Sequence, residues 1–327
     1  MKVAIDAGPL SSGHAVRGIG VYTRELLSAL KMDGTDVANT DLSKFDVVHL
    51  TSFKPFEISF PFSKSKHTKF VLTIYDLIPL IYPKHYPPGL RGGLNWQVNK
   101  YLIKRNIDAI ITISETSKKD ICRFLGVDPK IVHVIYLAPR PIFKPITNHE
   151  SLITVQKKYN LSKSFALYVG DINYNKNIPN LIKACKIAKI PLVICGKQAK
   201  DIDGQNLDHA ELKHLKNIDW TGVMRLGFVP DEDLAAINNL ATVYIQPSFY
   251  EGFGLPALEA VACGTSVAVA RSQCMVEVLG DDFSYCDPND AQSMAEAIAK
   301  PDVGKKLPRD YSWEKTASET LKIYGNV

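Results

Sequence analysis

The sequence predicts a chain of two doubly wound α/β domains. Short apolar, β-branched runs alternate with helix-forming stretches along the whole length, the pattern of parallel strands joined by helical crossovers. The alternation breaks once, at 137–145, where L-A-P-R-P-I-F-K-P carries three prolines in seven residues and can hold neither a helix nor a strand ladder. The 327 residues suffice for two domains of ordinary size.

Before the break, strands are predicted at 2–7, 46–50, 70–75, 109–114 and 131–136, and helices over 20–30, 94–106 and 115–125. After it, strands at 165–170, 191–196, 219–221, 242–247 and 266–270 alternate with helices over 178–187, 231–239, 256–263 and 291–299. Asp231 is placed as the cap of the helix it opens, and Ser312 as the cap of an amphipathic helix in the tail. The domains are therefore expected at 1–140 and 146–310, with a final helix at 311–327. Only about 15 residues separate the first helix from the second strand, so the N-terminal domain is expected to be short.

Bulk chemistry narrows the functional classes. No apolar run reaches the ~18–20 residues of a membrane-spanning helix, and the first ten residues lack the apolar core of a secretory signal. The six cysteines show no C-x-x-C spacing. These features predict a reduced, cytoplasmic chain without structural zinc. The net charge of +5 is uneven: residues 1–150 hold 20 Lys and Arg against 13 Asp and Glu, a surplus of +7, while the remainder carries −2. A basic first half suits an anionic membrane surface or a phosphorylated acceptor as readily as plain solvation. The basic residues are scattered, with no basic helix or aromatic platform for nucleic acid.

One segment concentrates the chemistry. Residues 247–267 read P-S-F-Y-E-G-F-G-L-P-A-L-E-A-V-A-C-G-T-S-V, with Glu251 and Glu259 separated by seven residues across a glycine turn. A strand precedes the turn, and Pro256 suits the first turn of the helix that follows. Strand, turn and helix start aim the amides of Gly252, Phe253, Gly254 and Leu255, and the positive end of a helix dipole, at an anion. Four further segments stand at strand ends. In G-D-I-N-Y-N-K-N (170–177), Lys176 can reach a diphosphate while the next helix adds N–H donors. In R-G-I-G-V-Y-T-R-E-L-L (17–27), Gly18 and Gly20 permit positive φ and close backbone approach to a ligand. T-I-Y-D-L-I-P-L-I-Y-P (73–83) brings Tyr75 and Asp76 into a proline-punctuated loop. L-G-F-V-P-D-E-D-L (226–234) sets Phe228 and Val229 between a strand and a helix, where Phe228 lines a base or joins the core. The D-x-D frames at 201–203 and 231–233 read as a polar loop and a helix start, and no metal is expected on them.

The combination P-S-x-x-E-G-F-G-L-P-x-x-E-A-x-A-x-G-T resembles the donor-site signature of retaining glycosyltransferases of family four, which have the GT-B fold. That resemblance implies two Rossmann-like domains facing a cleft, with the last helix crossing back to the first domain. It implies that Glu251 touches the transferred sugar, that Glu259 holds the nucleotide ribose, and that Lys176 meets the donor diphosphate. The loop with Gly18 and Gly20 would face the donor phosphates, Asp76 would lie near the sugar, and Phe228 and Val229 beside the base. Three positions depart from the family pattern. Tyr75 stands where a histidine is usual, and Asp171 and Asn175 replace residues that are often basic. A tyrosine, with an ordinary pKa of about 10, is a poor general base at neutral pH.

The implied activity is transfer of a hexose-type sugar from a GDP- or UDP-sugar to an acceptor hydroxyl with retained configuration. The nucleotide-sugar is a co-substrate, and no metal or other cofactor is implied. The acceptor would be a saccharide or a lipid-linked one, in cell-envelope polysaccharide, glycolipid or glycan synthesis. Two alternatives stay open at this level: a GT-B nucleotide-sugar epimerase, and a non-catalytic nucleotide-sugar-binding protein.

Overall fold

Two parallel sheets organise the chain in the computed structural model, which describes residues 1–13, 15, 18–58, 65–300 and 307–327. One structural unit comprises Met1–Ala138 with Tyr311–Val327, the other Pro139–Asp310.

The first unit runs β1 (Val3–Ile5), α1 (Gly18–Leu30), β2 (Val47–Leu50), β3 (Lys69–Thr73), α2 (Ile78–Ile81), α3 (Gly89–Asn106), β4 (Ala109–Thr112), α4 (Glu115–Leu125) and β5 (Val132–Val134). Its strands lie in sequence order. β2 and β4 are buried at every position, as parallel strands covered on both faces must be. Alternate residues divide between the faces. Ala4, Val48, Leu72 and Ile110 pack with Leu102 and Ile103 of α3 and Ile121 and Leu125 of α4, whereas Ile5, Val47, Val71 and Ile111 pack with Leu27 of α1. In the short connection between α1 and β2, Thr35 forms a single parallel bridge with Asp6 beside β1, through Thr35 N to Ile5 O (2.7 Å) and Ala7 N to Thr35 O (2.9 Å).

The second unit begins with α5 (His149–Lys158) and then alternates β6 (Ala166–Val169), α6 (Ile178–Ile187), β7 (Leu192–Cys195), α7 (Lys197–Lys200), β8 (Val223–Gly227), α8 (Asp231–Leu240), β9 (Val243–Gln246), α9 (Leu255–Ala262), β10 (Val267–Ala270), α10 (Gln273–Leu279), β11 (Ser284–Cys286) and α11 (Ala291–Ala299). The sheet order is β11-β10-β9-β6-β7-β8. The chain therefore winds outward from β6 in both directions, and the order reverses between β6 and β9. In open parallel sheets, ligands bind beyond the carboxyl ends of the strands at such a reversal. The last helix, α12 (Trp313–Asn326), belongs to the first unit, with Ser312 accepting from Lys315 N as its cap.

Several sequence expectations are corrected. The strand at 219–221 is a turn: Asp219 Oδ1 accepts from Thr221 N (3.0 Å), Gly222 takes φ +81°, and the strand starts at Val223. Asp231 is not the cap of α8. Pro230 holds that position, and the Asp231 carboxylate is drawn to Arg140 instead. The loop at 73–83 contains the helical turn α2, which Asp76 starts by accepting from Ile78 N (3.1 Å). Gly18 and Gly20 lie inside α1 and do not have positive φ; Arg17, which opens that motif, falls outside the described residues. Asn148 and Ser272 cap α5 and α10, two helices absent from the sequence reading, as was the edge strand β11.

A buried polar chain ties α12 to the first sheet. His49 is fully buried; its Nδ1 lies 2.6 Å from Tyr324 Oη, its Nε2 2.7 Å from Thr73 Oγ1, and Tyr22 Oη lies 3.3 Å from the same Thr73 oxygen. Burial lowers the His49 pKa to about 3 from the usual 6.5. Between those values the unfolded chain takes up a proton that the folded chain refuses. This contribution to stability is therefore intact above pH 6.5 and is lost as pH falls toward 3, by up to ~1.4 kcal/mol per pH unit. The His49 ring resonances are expected to show a neutral imidazole down to about pH 4 in the folded chain, and a midpoint above pH 5 would contradict that burial. Tyr324→Phe, which strands one ring nitrogen, is expected to cost about 1–3 kcal/mol in urea unfolding.

Candidate active site

The second unit gathers its chemistry at the ends of β6 and β9. β9 ends at Gln246, and the chain turns through Pro247 and Ser248 to Glu251, which is 6% exposed. A carboxylate this buried needs donors. Lys176 Nζ reaches both of its oxygens (2.7 and 2.9 Å), Gln246 Nε2 donates to Oε1 (2.5 Å), and Ser248 Oγ donates to Oε1 (2.6 Å). Gln246 is fixed in turn by Tyr244, whose hydroxyl donates to its Oε1 (2.6 Å). The structure thus brings Lys176 and Glu251 together, and it adds Tyr244 and Gln246, which the sequence reading passed over as strand, and Ser248, which it quoted in the signature segment without a role.

Two asparagines hold the β6 loop against the β9 loop. Asn175 Nδ2 donates to Tyr250 O (3.2 Å), and Asn175 O accepts from Phe249 N (2.9 Å). Asn177, in the left-handed region at φ 56°, donates to Pro247 O and Pro288 O. Both are nearly fully buried. At 175, where the family pattern is often basic, the amide therefore serves as a staple between the two loops.

The turn itself depends on Gly254. Its φ is +85°, and a Cβ there would stand 2.5 Å from Met275 Sδ. Gly254 occupies the cap position of α9, no side chain caps that helix, and Pro256 fills its first turn. The N-terminus of α6 likewise has no side-chain cap. Phe253 and Leu255 are buried.

Glu259 lies farther along α9 and is 3% exposed. Arg140 grips it with a forked pair, Nε to Oε1 (2.6 Å) and Nη2 to Oε2 (3.0 Å), and uses Nη1 for Asp231 Oδ1 (2.6 Å). The guanidinium also lies over the Phe143 ring at 4.5 Å. Burial raises the Glu259 carboxyl's pKa, against the opposing pull of the guanidinium. A carboxylate has about four acceptor sites, so two remain after the fork. Sequence reasoning took 137–145 as a linker and missed Arg140. Regular structure is indeed absent there, but a lone arginine among prolines was the available signal.

Other predicted positions stand apart from this cluster. Phe228 is 57% exposed, while its neighbour Val229 is buried. Three of the four D-x-D acids are engaged by cations: Asp203 by Arg225, Asp231 by Arg140, and Asp233 by Lys158. Among the described residues, no group of three or more His, Cys, Asp or Glu is arranged to hold a metal ion. In the first unit, Tyr75 donates its hydroxyl to Thr51 O (2.7 Å) and packs edge-on against Tyr22. Burial, foremost, raises its pKa well above the ordinary phenol value. Asp6 closes β1 nearby in sequence order, accepting from Gly8 N, with its pKa raised chiefly by burial.

Comparison with known proteins fits this geometry. Residues 152–312 match the family described as Glycosyl transferases group 1, and residues 37–138 match Glycosyltransferase Family 4. It is 27% identical over 273 residues to O-antigen chain mannosyltransferase B of Escherichia coli, covering 78% of this chain and 69% of that one. It is also 27% identical over 307 residues to the serotype-specific mannosyltransferase WbdA of the same species, covering 86% of this chain but 37% of WbdA. The chain thus spans little over a third of WbdA. Among solved structures, HepE of Anabaena in complex with UDP superposes with a TM-score of 0.63 at 14% identity, covering 100% of this chain and 98% of that one. The fold of the two units is GT-B.

The Arg140–Glu259 pair yields a stability prediction. Arg140→Met leaves a buried carboxylate without its partner and is expected to cost about 3–5 kcal/mol, whereas Arg140→Met with Glu259→Leu recovers most of that. Urea unfolding of both variants measures it, and a single-variant cost below about 1 kcal/mol would contradict the arrangement.

Proposed function

We propose that this chain transfers a hexose-type sugar from a GDP- or UDP-sugar to an acceptor hydroxyl, with retention of configuration and without a metal ion. The observation that carries the reading is the Lys176–Glu251 pair at the reversal of the second sheet, between two helix N-termini that lack side-chain caps. The mannosyltransferase relatives support mannose as the sugar, and the O-antigen chain named for one of them supports a saccharide or lipid-linked acceptor in cell-envelope polysaccharide synthesis.

In this reading the donor diphosphate sits against the N-termini of α6 and α9, where amide N–H groups and helix dipoles favour negative charge. Lys176 leaves Glu251 for the diphosphate. Glu251 stays anchored by Gln246 and Ser248, and its freed oxygen accepts hydrogen bonds from the sugar and stabilises positive charge developing at the anomeric carbon. Glu259, held by Arg140, offers its remaining acceptor sites to the ribose hydroxyls, and the Phe228–Val229 loop lies beside the base. The departing diphosphate is stabilised by Lys176 and the Gly252–Leu255 turn, of which one well-placed donor contributes on the order of 3 kcal/mol. The leaving phosphate accepts the acceptor's proton on the same face. That suits Tyr75, whose hydroxyl is committed to a backbone carbonyl and whose raised pKa disfavours it as a base.

Purified chain assayed for nucleotide release with GDP- and UDP-sugars, in the presence of EDTA, tests this. Turnover with at least one donor is expected, and Glu251→Gln is expected to lose about a hundredfold or more while keeping its unfolding midpoint. Turnover of Glu251→Gln within threefold of the parent would contradict the role of Glu251. Activity abolished by EDTA and restored by Mn²⁺ would contradict metal independence.

A further inference from the structure

Helix α3 presents a second apolar face that its own fold does not use. Its inner face is filled: Leu102 and Ile103 join the sheet's core, Gly92 lies against Phe56, and Asn99 Nδ2 donates to the carbonyls of Lys54, Pro55 and Glu57. On the outside, Leu90 is 94% exposed, Leu94 68% and Tyr101 59%. At 100° per residue these three share one stripe of the helix. Arg91 and Arg105 border it on one side, Lys100 and Lys104 on the other. Arg105 donates to the Tyr101 hydroxyl (2.9 Å), so one border cation is held beside the stripe. The sequence from residue 77 to residue 107 holds five Lys and Arg and no Asp or Glu. Exposed leucines framed by cations alone, without the alternating charge of a solvated helix, fit a surface that is apolar below and anionic above.

We infer that α3 docks the first unit onto an anionic lipid surface, with Leu90, Leu94 and Tyr101 entering the headgroup boundary and Arg91, Lys100, Lys104 and Arg105 meeting lipid phosphates. This deepens the acceptor side of the proposed function, since a lipid-linked acceptor is met at such a surface. Its test reads vesicle binding rather than turnover, so the two stand or fall separately. No helix among the described residues is long and apolar enough to cross a membrane, so the contact is made at the surface.

Co-sedimentation of the full chain with vesicles of phosphatidylcholine, alone or with 30 mol% phosphatidylglycerol, at about 0.1 M salt, decides it. The chain is expected to bind the anionic vesicles and not the neutral ones, and to release as salt rises. Leu90→Ser with Leu94→Ser is expected to weaken binding about tenfold or more, and Arg91→Gln with Lys104→Gln about twenty-five-fold, roughly fivefold per cation. Lys31→Gln with Lys322→Gln, which neutralises two exposed lysines on the elements packed against the opposite face of the sheet, is expected to change binding less than threefold. Absence of binding to anionic vesicles, unchanged binding of both α3 variants, or equal loss in the Lys31/Lys322 variant would overturn the inference. So would light scattering that shows a dimer abolished by the leucine substitutions, which would assign the face to a second copy of the chain.

Discussion

A carboxylate removed from water must have its charge answered, and at Glu251 the answer comes from two strand ends at once. Lys176 belongs to the loop after β6; Gln246 and Ser248 belong to β9 and its turn. The pairing therefore depends on the sheet order, because only adjacency of β6 and β9 brings these loops together. The Asn175 and Asn177 staples, the left-handed Gly254 and the start of α9 all serve to hold this one arrangement. Buried ion pairs contribute little net stability. Under the proposed function, this pair is arranged for a third, anionic partner that shifts the lysine and leaves the glutamate in place.

The Arg140–Glu259–Asp231 cluster follows the same logic in the same unit. Its forked geometry fixes the carboxylate rotamer on α9, and the bond to Asp231 spreads the charge toward the first turn of α8. Both glutamates of the signature segment are thus oriented by cations that arrive from distant parts of the sequence. A substitution far from the segment can therefore alter it, which is why mutational effects at Arg140 and at Lys176 should be read together with those at Glu251 and Glu259.

Much of this was legible beforehand. β-branched apolar runs marked nine of the eleven strands among the described residues closely enough to place them, since a strand buried on both faces needs such a run. The G-F-G-L-P turn between two glutamates was legible because local backbone geometry and residue type are set within a few positions. What escaped depends on distance. Arg140 meets Glu259 across 119 positions, and the β6 and β9 loops meet across about 75. Thr35, which adds a single bridge beside β1, carries no periodicity that could announce it. Asp219 and Gly222 turned a strand-like D-W-T into a loop through one side-chain bond and one positive φ. The exposed stripe of α3 was hidden because apolar residues on two faces of one helix blur its periodicity.

The most direct test of the central claim is a crystal structure of the chain with a nucleoside diphosphate bound. The account predicts phosphate oxygens within hydrogen-bond distance of Lys176 Nζ and of the amides at the start of α9. Glu251 should still be held by Gln246 and Ser248, and the ribose hydroxyls should rest on Glu259. A diphosphate bound elsewhere, with the Lys176–Glu251 pair unchanged, would contradict it.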